Sequence, residues 1–226
     1  MRGAIAACLF CLLAFTAGAQ TAPSEAQRAA YTGLLAAAAQ GNAANVLSLI
    51  AAGAKPDERD AHGRTPLHVA AFGARHDAMR ALVSGGANPN ALENDRYDIV
   101  TIAAVANDVA TLKVALALGA SARNVTSRYD GTALRAAAHL GHADVVRTLI
   151  AAGAPLDHVN NLGWTAVIEA IVLGDGGIRH TDTLKALVDA GANLNLPDRN
   201  RNSPLRLASS RGHAGMVKLL QQAGAK

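Results

Sequence analysis

Short apolar segments recur in pairs along this chain from about residue 30 to its end, each broken by a glycine or an asparagine before it could become a long helix. In the segment Ala143 to Ile150, Val146, Leu149 and Ile150 fall on one helical face, so that face has to be covered by a neighbour. The partner segments are alanine-rich and carry the pairs Ala37-Ala38, Ala70-Ala71, Ala103-Ala104 and Ala136-Ala137. Small side chains at those places let helices approach closely. Between successive pairs lie Asn/Asp/Gly stretches such as Asn160-Asn161-Leu162-Gly163, which turn the chain outward as a hairpin. The pattern predicts an all-α chain of helix-turn-helix units joined by hairpin loops.

The pairs recur at a nearly fixed distance. Aligned on Thr65-Pro66-Leu67-His68, equivalent positions fall at Thr32, Asp98, Thr132, Thr165 and Ser203, in steps of 33, 33, 34, 33 and 38 residues. Thr65 is a good N-cap, and Pro66 fits the first helical position, where its missing N–H would have no intrahelical partner anyway. Ser203-Pro204 repeats the device. Nine residues after each start come Gly41, Ala74, Asn107, Gly141, Gly174 and Gly212, where the chain reverses; a Gly-Ala pair then closes each unit, as at Gly153-Ala154. Glycine suits that closing position because it enters the left-handed region without steric cost.

A period of 33 with this punctuation resembles the ankyrin repeat. The likeness covers residues 30–226 as six units, about 30–59, 60–92, 93–126, 127–159, 160–197 and 198–226. It implies an ankyrin-repeat solenoid in which each unit touches only its neighbours. The first unit, with Gly33 and Leu35 in place of the box Pro and His, and the last, which stops soon after Gly224-Ala225, look like terminal caps. The resemblance further implies a module that binds another protein through its hairpin tips and concave face, and it implies no catalysis.

Residues 1–19 read differently. Met1-Arg2 is a short positive start, Gly3 to Phe15 is uncharged and apolar, and Ala17-Gly18-Ala19 has the small-x-small form of a cleavage site. This is the pattern of a secretory signal peptide, too short for a stable membrane anchor, with cleavage expected after Ala19 and residues 20–29 left as an N-terminal tail. Sixteen Arg against five Lys, with abundant Ala and Gly, suggest a GC-rich bacterial gene and so the periplasm as destination. Cys8 and Cys11 fall inside that segment; a lipid on Cys8 would leave almost no apolar stretch ahead of it. The exported chain would be free of cysteine, which excludes a disulfide framework, a thiol nucleophile and zinc ligation of the Cys-His type. Half the residues are hydrophobic but only 3% are aromatic, so the core must be Ala, Leu, Val and Ile. The net charge of +4 is spread without a basic run, and nucleic acid is not an expected partner.

Scarcity makes the aromatics informative. After cleavage only Tyr31, Phe72, Tyr97, Tyr129 and Trp164 remain. Tyr97 and Trp164 stand just before the box start, the place the resemblance puts on the hairpin tip, together with Arg64, Gly131 and Asn202; Arg128 and Tyr129 lie beside it. Tyr, Trp and Arg are the residue types most enriched in binding hot spots, so Arg64, Tyr97, Arg128, Tyr129 and Trp164 are candidate contacts. The competing role for the aromatics is to cover the next hairpin. The first helices add Phe72, Arg135, His139, Glu169, Arg206 and Arg211. Arg135 and Arg206 occupy the box histidine position, where a hydrogen bond to the hairpin backbone is the expected role.

The fifth unit is longer than its neighbours. Its excess, Gly174-Asp175-Gly176-Gly177-Ile178-Arg179-His180-Thr181-Asp182, predicts a projecting loop that offers Asp175, Arg179 and His180 for recognition. It lacks the alternating carboxylates of an EF-hand and the strand and lysine of a phosphate cradle. His139 and His142 belong to a turn pattern shared with Gly212-His213, and no metal or cofactor is expected. The leading expectation is a non-enzymatic protein-binding module in the periplasm that inhibits or stabilises an envelope protein. Two alternatives stand beside it: a hydrolase or small-ligand protein using Asp175, His180 and Glu169 beside the insertion, and a self-assembling structural scaffold.

Overall fold

The computed structural model describes residues 20–226; the expected signal peptide and its cysteines lie outside the described residues. The chain begins with a short helix, α1 (Glu25–Ala30), and continues as six antiparallel helix pairs. These are α2 (Gly33–Gln40) with α3 (Ala43–Ala51), α4 (Pro66–Phe72) with α5 (His76–Ser84), and α6 (Ile99–Val105) with α7 (Val109–Ala117). They are followed by α8 (Ala133–Leu140) with α9 (Ala143–Ala151), α10 (Ala166–Val172) with α11 (Ile178–Asp189), and α12 (Pro204–Ser210) with α13 (Ala214–Gln222). Among the described residues there is no strand; one isolated bridge joins Thr126 and Gly131.

The pairs stack in two layers. Each inner helix packs on the next, α2 on α4, then α6, α8, α10 and α12, while the outer helices α3, α5, α7, α9, α11 and α13 form the second row. The seam is built as the small side chains require: Ala37, Ala70, Ala104, Ala137, Ala170 and Ala208 are all buried between inner helices. Larger residues on the outer helices, Met79, Leu82, Leu112, Leu149, Leu187 and Leu220, fill the space between the layers. Helices of seven to nine residues have little stability alone, so this shared burial holds them.

Every inner helix after α2 starts on a side-chain cap, while Thr32 at the start of α2 makes no such bond. Thr65, Asp98, Thr132, Thr165 and Ser203 all accept a hydrogen bond from the backbone N–H three residues on. In α4 the device is reciprocal and fully buried. His68 Nδ1 faces the Thr65 N–H at 3.1 Å, and His68 Nε2 reaches the carbonyl of Tyr97 in the next hairpin at 3.2 Å. A neutral imidazole serves both contacts, accepting at one nitrogen and donating at the other. Burial holds the His68 pKa below its usual value.

A polar ladder ties the loops across the stack. Asp57 accepts from Asn88 N, Asn90 from Ser121 N, Asp157 from Asn193 N and Asn195 from Lys226 N. At the equivalent place Asn124 donates back to Asn90 Oδ1, and its neighbour Arg123 donates forward to the carbonyl of Gly153. A second inter-repeat contact is ionic. Arg135 on α8 and Glu169 on α10 form an ion pair whose side chains are 7% and 5% exposed, and burial lowers the Arg135 pKa to about 10. The expected hydrogen bond from Arg135 to a hairpin backbone is therefore replaced by a pairing with the next repeat.

Two stability predictions follow from these buried polar groups. His68, His139 and His142 all have pKa values lowered chiefly by burial, so the unfolded chain takes up protons first as pH falls. Stability is then fully present above the unfolded histidine value of about 6.5 and declines on acidification below it. Thermal denaturation followed by circular dichroism should show a steady midpoint above that pH and a falling one below it, and His68→Gln should flatten part of the slope. A midpoint unchanged down to pH values of about 5 rejects the account. Removing one member of the buried ion pair, as Arg135→Ala or Glu169→Ala, should lower stability in urea unfolding by about 3–5 kcal/mol, and Arg135→Met with Glu169→Leu should lose much less. Single variants that lose under about 1 kcal/mol show that the pair does not hold α8 to α10.

Candidate functional site

The hairpins between repeats are organised by residues that lie five positions before each box start. Asp60 Oδ1 accepts from the backbone N–H of His62 and Arg64, Glu93 from Asp95 and Tyr97, Asn160 from Leu162 and Trp164, and Asp198 from Asn200 and Asn202. Ser127 stands at the same place in the fourth unit and accepts from Tyr129 N. Of these, the sequence points only to Asn160, as part of a turn-forming stretch; the polar type at this place recurs with the period and is the signal for the others. The hairpins also bond to one another, Asn94 N to His62 O, Ser127 N to Arg96 O and Asn161 N to Tyr129 O.

Arg64 is not on an exposed tip. It is 1% exposed, its Nε donates to Asp60 Oδ2 at 2.7 Å, and its terminal nitrogens donate to Thr21 O and Gln27 Oε1. The physical reason is the segment 20–30, which folds as a capped helix against the first hairpin instead of remaining a loose tail. Ser24 and Gln27 form a reciprocal capping box, and Tyr31 donates its hydroxyl to Asp60 at 2.7 Å. Burial and the Asp60 hydrogen bond push the Tyr31 pKa up to about 12. At Asp60, burial favours the neutral acid, but the hydrogen bonds from Tyr31 and Arg64 outweigh it and hold the carboxyl below its usual range.

The same segment fills the adjoining end of the inner-helix surface. Gln20 and Thr21 line a narrow crevice with Phe72, Glu93, Asp95 and Tyr97, and both aromatic rings are half-buried. Further along, Arg128 is exposed and pairs with Asp95 at 2.9 Å, while Arg96 pairs with Asp130 at 2.9 Å, so these two neighbouring hairpins share two ion pairs. Exposed pairs of this kind add little stability, but they hold the hairpins in register. Tyr129 and Trp164 are half-buried. Trp164 lines a concavity of about 400 Å³ with Val172 on α10, Asp198 in the hairpin, and Arg206 and Arg211 at α12.

Glu169, expected as a contact residue, is 4% exposed because Arg135 closes over it. The expected projecting loop is also largely helix. Gly177 caps α11, whose first turn takes up Ile178 to Asp182, so only Gly174 to Gly177 remain outside regular structure. Asp175 Oδ1 contacts His180 Nδ1 at 2.9 Å, His180 Nε2 lies 3.0 Å from His139 O, and Arg179 donates to Leu140 O. A side chain at Gly174 would meet Ala170 O at 2.2 Å, so glycine is required there by close approach. The turn is thus clamped onto the end of α8, and what it presents outward is Ile178, 74% exposed, and Leu173, 41% exposed.

The hydrolase constellation is consequently divided: Glu169 is consumed by Arg135, and both nitrogens of His180 are engaged in holding the turn. Among the described residues no three carboxylate, His or Cys side chains are grouped as metal ligands, and no helix is long and apolar enough to cross a membrane.

Comparison with known proteins agrees with the repeat geometry. Family models for ankyrin repeats match residues 4–93, 34–125, 100–195 and 179–221. The chain is 32% identical over 192 residues to the ankyrin repeat protein YahD of Escherichia coli K12, covering 84% of this chain and 95% of that one. It is 31% identical over 187 residues to the B-cell lymphoma 3 protein homolog of Mus musculus, spanning 80% of this chain but 40% of the mouse protein. Among solved structures, an ankyrin repeat domain from Acinetobacter baumannii AYE superimposes with a TM-score of 0.79 at 40% identity, covering 85% of this chain and 98% of that one. Six stacked helix pairs, their capped inner helices and these matches together place the chain in the ankyrin repeat family.

Proposed function

We propose that this ankyrin repeat protein is a non-enzymatic module exported to the periplasm, where it binds and thereby inhibits or stabilises an envelope protein. Ankyrin repeats are protein-protein interaction modules, and this chain consists of little else. One observation carries the reading: the side chains of catalytic type are bonded into the stack, whereas Tyr129, Trp164 and the adjoining inner-helix surface are left for contact. Aromatic residues on a rigid frame suit this role because they cover area while losing few torsions. Export is supported by the composition of residues 1–19.

Crosslinking of the chain in its own cells, followed by mass spectrometry, tests both halves of the proposal. The recovered chain should begin at Gln20 and be found in the periplasmic fraction. A captured partner should fall about tenfold or more when Tyr129→Ala and Trp164→Ala are combined, as hot-spot losses imply. Equal recovery with the double variant rejects this surface as the site, and recovery of an unprocessed chain from the cytoplasm rejects export.

A further inference from the structure

The net charge conceals an asymmetry. Residues 198–226 contain Arg199, Arg201, Arg206, Arg211, Lys218 and Lys226 against a single acid, Asp198, so this unit is more positive than the +4 of the whole chain. Asp198 lines the same concavity and feels the charge of Arg206, but it also accepts from Asn200 N, Asn202 N and Asn202 Nδ2 in organising its hairpin, and it is one carboxylate against the two lining guanidinium groups of Arg206 and Arg211. Among the described residues none of the four arginines forms an ion pair.

The contrast with the fourth unit is instructive. Arg135 and Arg206 occupy the same place in the repeat, and Arg135 is neutralised by Glu169 from the following inner helix. Among the described residues no inner helix follows α12, and Arg206 stays exposed with no hydrogen bond from its guanidinium. Arg211 donates its Nε–H to Val172 O, leaving its terminal nitrogens open. Both arginines line the concavity that Trp164 also lines. The other end of the inner surface is narrowed by residues 20 and 21, so this is the end with room for a chain.

We infer that the groove formed by Trp164, Arg206 and Arg211 receives an acidic segment of the partner, with carboxylates on the two arginines and an apolar side chain against the indole. The inference rests on the protein-binding reading above and names the chemistry of that partner. A carboxylate here would do for Arg206 what Glu169 does for Arg135. Guanidinium is suited to this because its planar donors match a carboxylate in paired hydrogen bonds. A peptide fits better than a nucleic acid because Arg206 and Arg211 converge on one pocket beside an indole, with no row of cations to follow a phosphate backbone.

Trp164 is the only tryptophan in the sequence, so its fluorescence reports on this groove alone. The full chain is titrated with a short acetylated and amidated peptide in which a run of glutamates is flanked by leucines. Matched peptides carrying glutamine or lysine, a single-stranded oligodeoxynucleotide and vesicles of phosphatidylcholine with phosphatidylglycerol are run beside it. The expected result is a saturable change in Trp164 emission with the glutamate peptide alone. It should weaken about tenfold when Arg206→Ala and Arg211→Ala are combined, and weaken again when salt is raised from about 0.05 to 0.5 M. Circular dichroism should show both variants folded, as expected for exposed side chains. Equal response to the glutamine peptide, tighter binding of the oligonucleotide or vesicles, or no response at all overturns the inference. If crosslinked partners are still captured by the Arg206→Ala, Arg211→Ala variant while the glutamate peptide gives no response, protein binding stands and the acidic-segment assignment falls.

Discussion

No repeat in this chain can cover its own apolar stripe, and everything else in the molecule depends on a neighbour doing so. A helix of seven residues such as α4 leaves most of its backbone groups at its ends and gains little from its own hydrogen bonds. Its stability is the burial of Leu67, Ala70 and Ala71 against α2 and α6. The alanine seam sets the distance between repeats, and the caps and the Asp57-to-Asn195 ladder fix their register within it. The shortage of aromatic residues is the composition that such a narrow seam demands.

A close-packed seam treats polar side chains severely. A polar group buried in this seam cannot reach water, so it must find its partner in the same or the adjacent repeat. His68 finds the Tyr97 carbonyl, Arg135 finds Glu169, and Arg64 finds Asp60 and the segment before α2. The insertion obeys the same rule. Its His180 and Arg179 satisfy carbonyls at the end of α8 that a shorter second helix would leave to solvent. Residue types that signal recognition on an open surface thus become internal fasteners here.

That rule explains which parts of the molecule were legible in its sequence. The helix pairs, their caps at Thr65, Asp98 and Ser203, and the Ala-rich seam were readable, because each depends on residues close together in the chain and recurs with the period. Arg64 and Glu169 were misjudged as contacts because their fate depends on groups that only folding brings near. Thr21 and Gln27 are 43 and 37 residues from Arg64, and Glu169 is one repeat away from Arg135. The insertion was misjudged for a different reason. Its glycines suggest a projecting loop, whereas Gly174 is there to let His180 and the Ala170 carbonyl approach, a steric requirement invisible to composition. Asp60, Glu93, Asn160 and Asp198 were readable in principle, since their spacing matches the box, but short polar residues in hairpins look alike until their acceptors are seen pointing at successive N–H groups.

The two ends of the inner surface differ for the same reason that the middle is closed. At the first repeats, the segment before α2 supplies the donors and acceptors that Arg64 and Asp60 require, and in doing so it occupies space beside Phe72 and Tyr97. On α12, Arg206 holds the position that Arg135 holds two units earlier but stays exposed, and Asp198, the carboxylate that shares its concavity, also serves the hairpin N–H groups. A stack that satisfies each buried polar group through its neighbour leaves, at this end of the inner surface, two exposed arginines against one lining carboxylate. Trp164 borders that end, so the single indole and the unpaired guanidinium groups share one concavity, and there an incoming chain has both apolar area to cover and charge to neutralise.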